Sequence, residues 1–263
     1  MIVVVRNMTV PKDHPRYESL MKREKLREMV ELGIVDPTGL ISHGRGEAFD
    51  YLMNEKSIGP ALIAEKVAAA FLLNAKNLVV CVNGNAAALG VKDLVELALV
   101  VDAKIEVNLF HRTKERMDTI VGYMEAEGAT NILGRKPNAR IPGLSSDRAL
   151  CTKEGIFDCD VILVPIEDGD RAEALVAMNK TVISIDLNPL SRTSKMATVS
   201  ISDDMNRALK NIKTFAEELK GNETYISEII AEYDNIRTRQ DTIESICITL
   251  KEEFQKGIKN GRT

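Results

Sequence analysis

The stretch Val161–Thr193, "VILVPIEDGDRAEALVAMNKTVISIDLNPLSRT", decides the fold. It opens on an apolar run, Val161–Pro165, and crosses an acidic loop. A helical segment follows from Arg171 to Met178, and a second apolar run, Thr181–Ile185. Strand, helix and strand within one short stretch is the signature of a parallel crossover. Both apolar runs are continuous rather than alternating, as strands covered on both faces must be. The same rhythm holds upstream. Asn77–Val82 predicts a strand, Val91–Val101 a helix, Lys104–Leu109 a strand and Thr113–Glu127 a helix. Downstream, Thr198–Ile201 predicts a further strand, and a helix runs from Asp203 to about Leu219. The expected fold is therefore α/β: a Rossmann-like, mostly parallel sheet with helices on both faces. An N-terminal helical segment and a long C-terminal helix flank it.

Outside this core the pattern changes. Tyr17, Leu20, Met21, Leu26, Met29 and Val30 recur at helical spacing after Pro15, and Gly33 and Pro37 end that helix. A glycine-punctuated loop is expected over Gly39–Gly46, then a short helix through Ala48 and Tyr51. The Ala- and Leu-rich segment Pro60–Ala75 predicts a buried helix. Residues 134–158 break the alternation and are polar, so an ordered surface loop is expected. Beyond Gly221 lie Ile226, Ile229, Tyr233, Ile236, Gln240, Ile243, Cys247, Leu250 and Phe254. They form a heptad seam with one polar position. Such a helix either packs back on its own domain or meets another subunit. The expected division is one domain over residues 1–220 and a helical extension over 221–263.

Composition excludes several classes. A net charge of −4 gives no bulk attraction to nucleic acid or an acidic membrane. Cys81, Cys151, Cys159 and Cys247 show neither zinc nor redox spacing, and Cys81 and Cys247 sit in apolar segments expected in the core. The apolar start, Met1–Val5, is too short for a signal peptide, and no run is long enough to span a bilayer. A cytoplasmic protein is expected. There is no GxxxxGK[ST], no GxGxxG after a strand, no HExxH and no GxSxG. The three histidines do not cluster, so no metal site is expected.

A parallel sheet delivers all its carboxyl ends to one edge, where ligands bind. Here that edge receives Asn83-Gly84-Asn85, then Asn108 with His111 and Arg112. Glu167 to Arg171 arrive from the next strand, and Asp186, Asn188, Ser191, Arg192 and Thr193 from the last. Asp170 and Asn83 are equally suited to capping helices. The arginines are not, because a cation in the first turn opposes the helix dipole. Arg112, Arg171 and Arg192 thus form an expected anion-binding set. Asp186 suits ribose hydroxyls or a water-bound metal, and Asn188 suits polar base edges. Arg45, between Gly44 and Gly46, and Arg140, in "RIPG", each offer a further guanidinium. His43 is either a hydrogen-bonding residue or a general base.

Long strings across the chain resemble one family, the archaeal phosphopantothenate synthetases, or 4-phosphopantoate–β-alanine ligases. They are "HPRYESL", "HGRGEAFDYL", "VNGN", "KIEVNLFHRT", "ARIPGL", "VPIEDGDRAEALV" and "IDLNPLSRT", in order over roughly residues 10–219. The resemblance implies an ATP-dependent ligase of coenzyme A biosynthesis, homodimeric and Rossmann-like, using Mg2+. It would join 4-phosphopantoate to β-alanine and release AMP and diphosphate. It places nucleotide contacts on Arg23, Arg45, Asp186, Leu187, Asn188, Arg192, Thr193, Asp204 and Met205. Arg45 and Arg192 would act on ATP phosphates. Asn83, Asn108, Arg112, Arg140 and Arg171 would meet the other substrates, and His43 or Glu106 would be the base. It also implies a chain ending near Leu219, so the tail would be an addition whose removal leaves the chemistry possible. Two other classes share such a nucleotide edge: a small-molecule kinase and a non-catalytic ATP-binding module.

Overall fold

The structure is a computed structural model that describes residues 10–259; the apolar start Met1–Val5 lies outside it. Five strands form one parallel sheet: β1 (Leu78–Val82), β2 (Lys104–Val107), β5 (Val161–Pro165), β6 (Thr181–Ile185) and β7 (Val199–Ile201). Their order is β2-β1-β5-β6-β7. A small antiparallel pair, β3 (Ala139–Arg140) and β4 (Leu150–Cys151), stands apart. The chain leaves β1 toward β2, then crosses back to β5 on the other side. The β1/β5 boundary is therefore the switch point at which such sheets open a crevice.

Strand residues alternate between two cores. Val80, Val82, Leu163, Ile183 and Ile185 pack with the first core. It is built on α3 (Gly59–Asn74), α4 (Gly84–Val100), α5 (Lys114–Ala126) and α8 (Met205–Leu219), with α1 (Tyr17–Glu31) at its margin. Val79, Cys81, Ile162, Val164 and Val182 face a smaller core on the opposite side. There α6 (Gly169–Ala177) and α7 (Arg192–Met196) share the cover with Ile141, Cys151, Ile156 and Cys159. The segment expected as a polar surface loop thus supplies Ile141, Cys151 and Ile156 to that face. Its few apolar residues all turn inward, a pattern too sparse for periodicity to reveal.

Three further expectations are corrected. First, Gly39–Gly46 is not a loop: α2 runs unbroken from Pro37 to Leu52. Asp36 caps it by accepting from the Thr38 amide at 2.9 Å, and Pro37 occupies the first turn. Gly39 is there for close approach, since a Cβ would lie 2.3 Å from Asn85 Oδ1. Second, α4 starts at Gly84, capped by Asn83, and bends at Gly90, which hid its first turns. Third, the tail is two helices, α9 (Glu223–Glu232) and α10 (Asn235–Lys259), separated at Tyr233-Asp234. It packs back on α3 and β7. The buried face of α10 is Thr238, Thr242 and Ile246, whereas Ile236, Gln240, Cys247, Leu250 and Phe254 are exposed. Cys247 is therefore not a core residue.

Candidate active site

The carboxyl edge of the sheet opens into two cavities. The larger, about 1280 Å3, lies beyond β5, β6 and β7 and is roofed by α1 and α2. The smaller, about 400 Å3, sits at the β1/β5 switch point. Ser42, Ile166 and Asp168 line both, so the two adjoin.

The loop after β6 builds one wall of the larger cavity. Asp186 Oδ1 accepts from the Asn188 amide at 3.0 Å, and Asn188 Oδ1 accepts from the Leu190 amide at 2.9 Å. Ser191 then caps α7. These local bonds fix a tight turn without regular structure. Burial raises the Asp186 carboxyl, which sits near the charge of Arg45. Leu187 lies beside Gly46, and Thr193 Oγ1 donates to the Glu167 carbonyl at 2.7 Å. Arg192 is exposed and pairs with Glu173. Asp204 caps α8, and burial works against its charge, but Lys22 at 2.7 Å holds its carboxyl low. Met205 follows it on the cavity wall.

From α2 come His43, Arg45 and Glu47. Burial lowers the His43 imidazole below its ordinary value, which favours the neutral form. Its Nε2 is buried without a hydrogen-bond partner among the described residues. Arg23 lies outside this lining but is paired with Glu47, which belongs to it. Its guanidinium bridges Glu47, with Nη2 2.7 Å from Oε2, and reaches Tyr51. The expected nucleotide residues other than Arg23 all line this one cavity.

The expected substrate residues divide differently. Asn83 lines the smaller cavity, but its side chain is committed. Its Oδ1 accepts from the Ala86 amide and its Nδ2 donates to the carbonyls of Pro165 and Ile166, at 3.1 and 2.8 Å. That grip holds Ile166 at a φ of 53°, a strained conformation for a β-branched residue. Asn108, Arg112, Arg140 and Arg171 line neither cavity. Asn108 is buried and donates to the Arg148 and Leu150 carbonyls. Arg112 turns away to the Gly134 carbonyl, and Arg140 to that of Leu144. Arg171 is fully buried, paired with Glu167 and touching Cys81 Sγ at 3.4 Å. Glu106 also lines neither cavity: its carboxyl group accepts from Thr152 and Ile156 and anchors the 150–157 segment.

Two arginines outside the expected set, Arg116 and Arg148, line the smaller cavity. Arg116 donates to the Ile34 and His111 carbonyls, at 3.0 and 2.9 Å, and has no carboxylate partner among the described residues. Gly84 permits this, since a Cβ would lie 2.8 Å from its Nη2. Arg148 meets Glu167 at 2.8 Å and Asp168 at 3.1 Å. Burial opposes the Glu167 charge, yet Arg148 and Arg171 together keep its carboxyl below the usual range. Arg116 stands in the first turn of α5, against the helix dipole, the same signal that singled out Arg112.

A parallel sheet with a polar cleft at its switch point and a neighbouring cleft rich in both charges is the architecture of an α/β enzyme that binds ligands at the carboxyl edge of its strands. A sequence profile described as phosphopantothenate/pantothenate synthetase matches residues 60–249. A protein named 4-phosphopantoate–beta-alanine ligase from Methanosarcina mazei is 52% identical over 243 residues, 92% of this chain and 96% of that protein. One of the same name from Thermococcus kodakarensis is 46% identical over 253 residues, 95% of this chain and 97% of its own. The chain belongs to the phosphopantothenate synthetase family. The match runs well past Leu219, so the tail is a shared part of these proteins, not an addition.

Proposed function

We propose that the chain is an ATP-dependent ligase that condenses 4-phosphopantoate with β-alanine, giving 4′-phosphopantothenate, AMP and diphosphate, in the cytoplasmic synthesis of coenzyme A. The observation that carries this reading is the pair of adjoining cavities. A ligase of this type must hold a nucleotide and a second phosphorylated acid with their reactive ends together. The larger cavity takes ATP, with Asp186 and Asn188 toward the nucleoside and Arg45, Arg192 and Thr193 toward the phosphates. The smaller takes 4-phosphopantoate, its phosphate near Arg116 and the amino end of α4. The shared rim at Ile166 and Asp168 is where the two react.

The pantoate carboxylate attacks the α-phosphorus of ATP, and the bond to the bridging oxygen breaks to release diphosphate. The amine of β-alanine then attacks the acyl carbon of the adenylate. AMP leaves with the former bond electrons, and the amine loses a proton. His43, which lines the ATP cavity and whose neutral form burial favours, is the candidate acceptor. No covalent enzyme intermediate is required. Among the described residues no cluster of acids, histidines or cysteines forms a metal cage. Magnesium would instead enter with the triphosphate rather than in a protein cage. Bound there it would offset phosphate charge.

The test is the nucleotide product. With ATP, magnesium, 4-phosphopantoate and β-alanine the protein should form AMP and diphosphate only when both organic substrates are present. ADP would identify a kinase, and ATP binding without turnover a binding module.

A further inference from the structure

We propose that Arg239, on the C-terminal helix, is a positioning residue for the ATP-binding loop, and that the tail is part of the active-site scaffold. The proposal rests on the nucleotide reading of residues 186–193. Within that loop the amides of Asn188, Leu190 and Ser191 are satisfied locally. Asn188 takes the Leu190 amide on its side chain, and its carbonyl receives the Ser191 amide at 3.1 Å and Ser194 Oγ at 2.9 Å. Pro189 stands at the turn between Asn188 and Ser191, and it is buried. Its carbonyl receives Arg239 Nε at 2.9 Å, from a helix fifty positions later in the chain. Arg239 is half-buried and has no carboxylate partner among the described residues. Its charge is thus free to strengthen that one bond.

A second contact fixes the helix in register. Asn235 lies one turn before Arg239, on the same face of α10. Its Oδ1 accepts from the Ser200 amide at 2.8 Å and its Nδ2 donates to the Ala197 carbonyl at 3.0 Å. The Ser200 amide belongs to the edge strand β7 and Ala197 stands just before that strand, so one side chain meets the sheet edge where a neighbouring strand would. Tyr233 hydroxyl holds the same Asn235 oxygen at 3.0 Å. The tail therefore docks on the sheet edge through Asn235 and reaches one turn further to set the loop through Arg239. Asp186 and Arg192 flank Pro189 by three residues on either side, so a displaced Pro189 moves both.

The experiment compares Arg239→Ala and Arg239→Lys with the parent chain. The readouts are ATP affinity by calorimetry, the Michaelis constants for ATP and 4-phosphopantoate, and thermal melting. Arg239→Ala should weaken ATP binding and raise its Michaelis constant roughly three- to tenfold, as loss of one loop-setting bond implies. The constant for 4-phosphopantoate should stay within about twofold. Arg239→Lys should recover part of the ATP affinity. Unchanged ATP affinity in a folded Arg239→Ala chain overturns the proposal, as does an equal loss for both substrates. Should Arg239→Ala not fold, Arg239→Gln decides by the same readouts. Failure of the parent chain to release AMP would instead strike the ligase reading, because calorimetry reports on Arg239 without turnover.

Discussion

Arg171 and Arg116 show how much the position of one guanidinium matters. Both stand in the first turn of a helix after a sheet strand, where a cation opposes the helix dipole. Arg171 resolves that conflict inside the protein, by pairing with the buried carboxylate of Glu167. Arg116 resolves it with backbone carbonyls and stays at a cavity wall. The two should therefore fail differently. Arg171→Ala leaves Glu167 short of a partner and should cost about 3–5 kcal/mol of stability, read by chemical denaturation. Arg116→Ala should melt near the parent but raise the Michaelis constant for 4-phosphopantoate about tenfold or more, with that for ATP little changed. A stable Arg171→Ala chain, or an Arg116→Ala chain with normal pantoate kinetics, would reverse these roles. The sequence pattern marked Arg171 as an arginine needing an anion and left Arg116 unmarked. Only the fold assigned a protein anion to one and a cavity to the other.

At the scale of elements, the junction of α3, α8 and the end of β7 carries a buried acid. Glu65 of α3 is fully buried, accepts from Asn211 Nδ2 of α8 at 2.9 Å and stands near Asp203. Burial, with the charge of Asp203 added, pushes its carboxyl up from 4.5 to about 9. The folded state then holds a proton that the unfolded chain releases above about 4.5. Because the folded state binds more protons between those values, this group makes stability fall as pH rises through that window. Glu65→Gln keeps both hydrogen-bonding ends and removes the titration. Its melting temperature should pull ahead of the parent's by some degrees as pH goes from 5 toward 9, at roughly 2–4 °C per kcal/mol. Parallel melting curves across that range would show that Glu65 does not carry the proton. Periodicity already placed α3 as a buried helix. The acid within it gave no signal, since its partners lie on elements distant in sequence.

Over the whole molecule the tail is the largest departure from expectation. Residues 221–263 read as a helical addition whose removal spares the chemistry. In the structure α9 and α10 cover α3, finish the β7 edge and hold the Pro189 carbonyl. A chain ending at Gly221 should lose several degrees of melting temperature and most of its ATP affinity. Full stability and affinity in that fragment would restore the idea of a dispensable extension. The exposed row Ile236, Cys247, Leu250 and Phe254 remains the apolar face on which we place the proposed homodimer. Light scattering should find a dimer for the full chain and a monomer for Phe254→Glu combined with Leu250→Glu. A monomeric parent chain, or a dimeric double variant, would remove that face from the interface.

The sequence by itself determined the α/β class, the strands of the parallel sheet and the turn that follows β6. Continuous apolar runs admit few other burial patterns, and "IDLNPLSRT" carries its turn chemistry locally in Asp186, Asn188, Pro189 and Ser191. The family strings did the same for the expected activity. Tertiary structure alone decided that α2 is one helix through its glycines, that Arg116 and Arg148 rather than Arg112, Arg140 and Arg171 face a cavity, and that the tail packs back on α3 and the β7 edge. The physical reason is common to all three. Each depends on which groups meet across long separations in the chain. A side chain's partner, whether carboxylate, carbonyl or open cavity, is fixed by packing and leaves no periodic trace in the sequence.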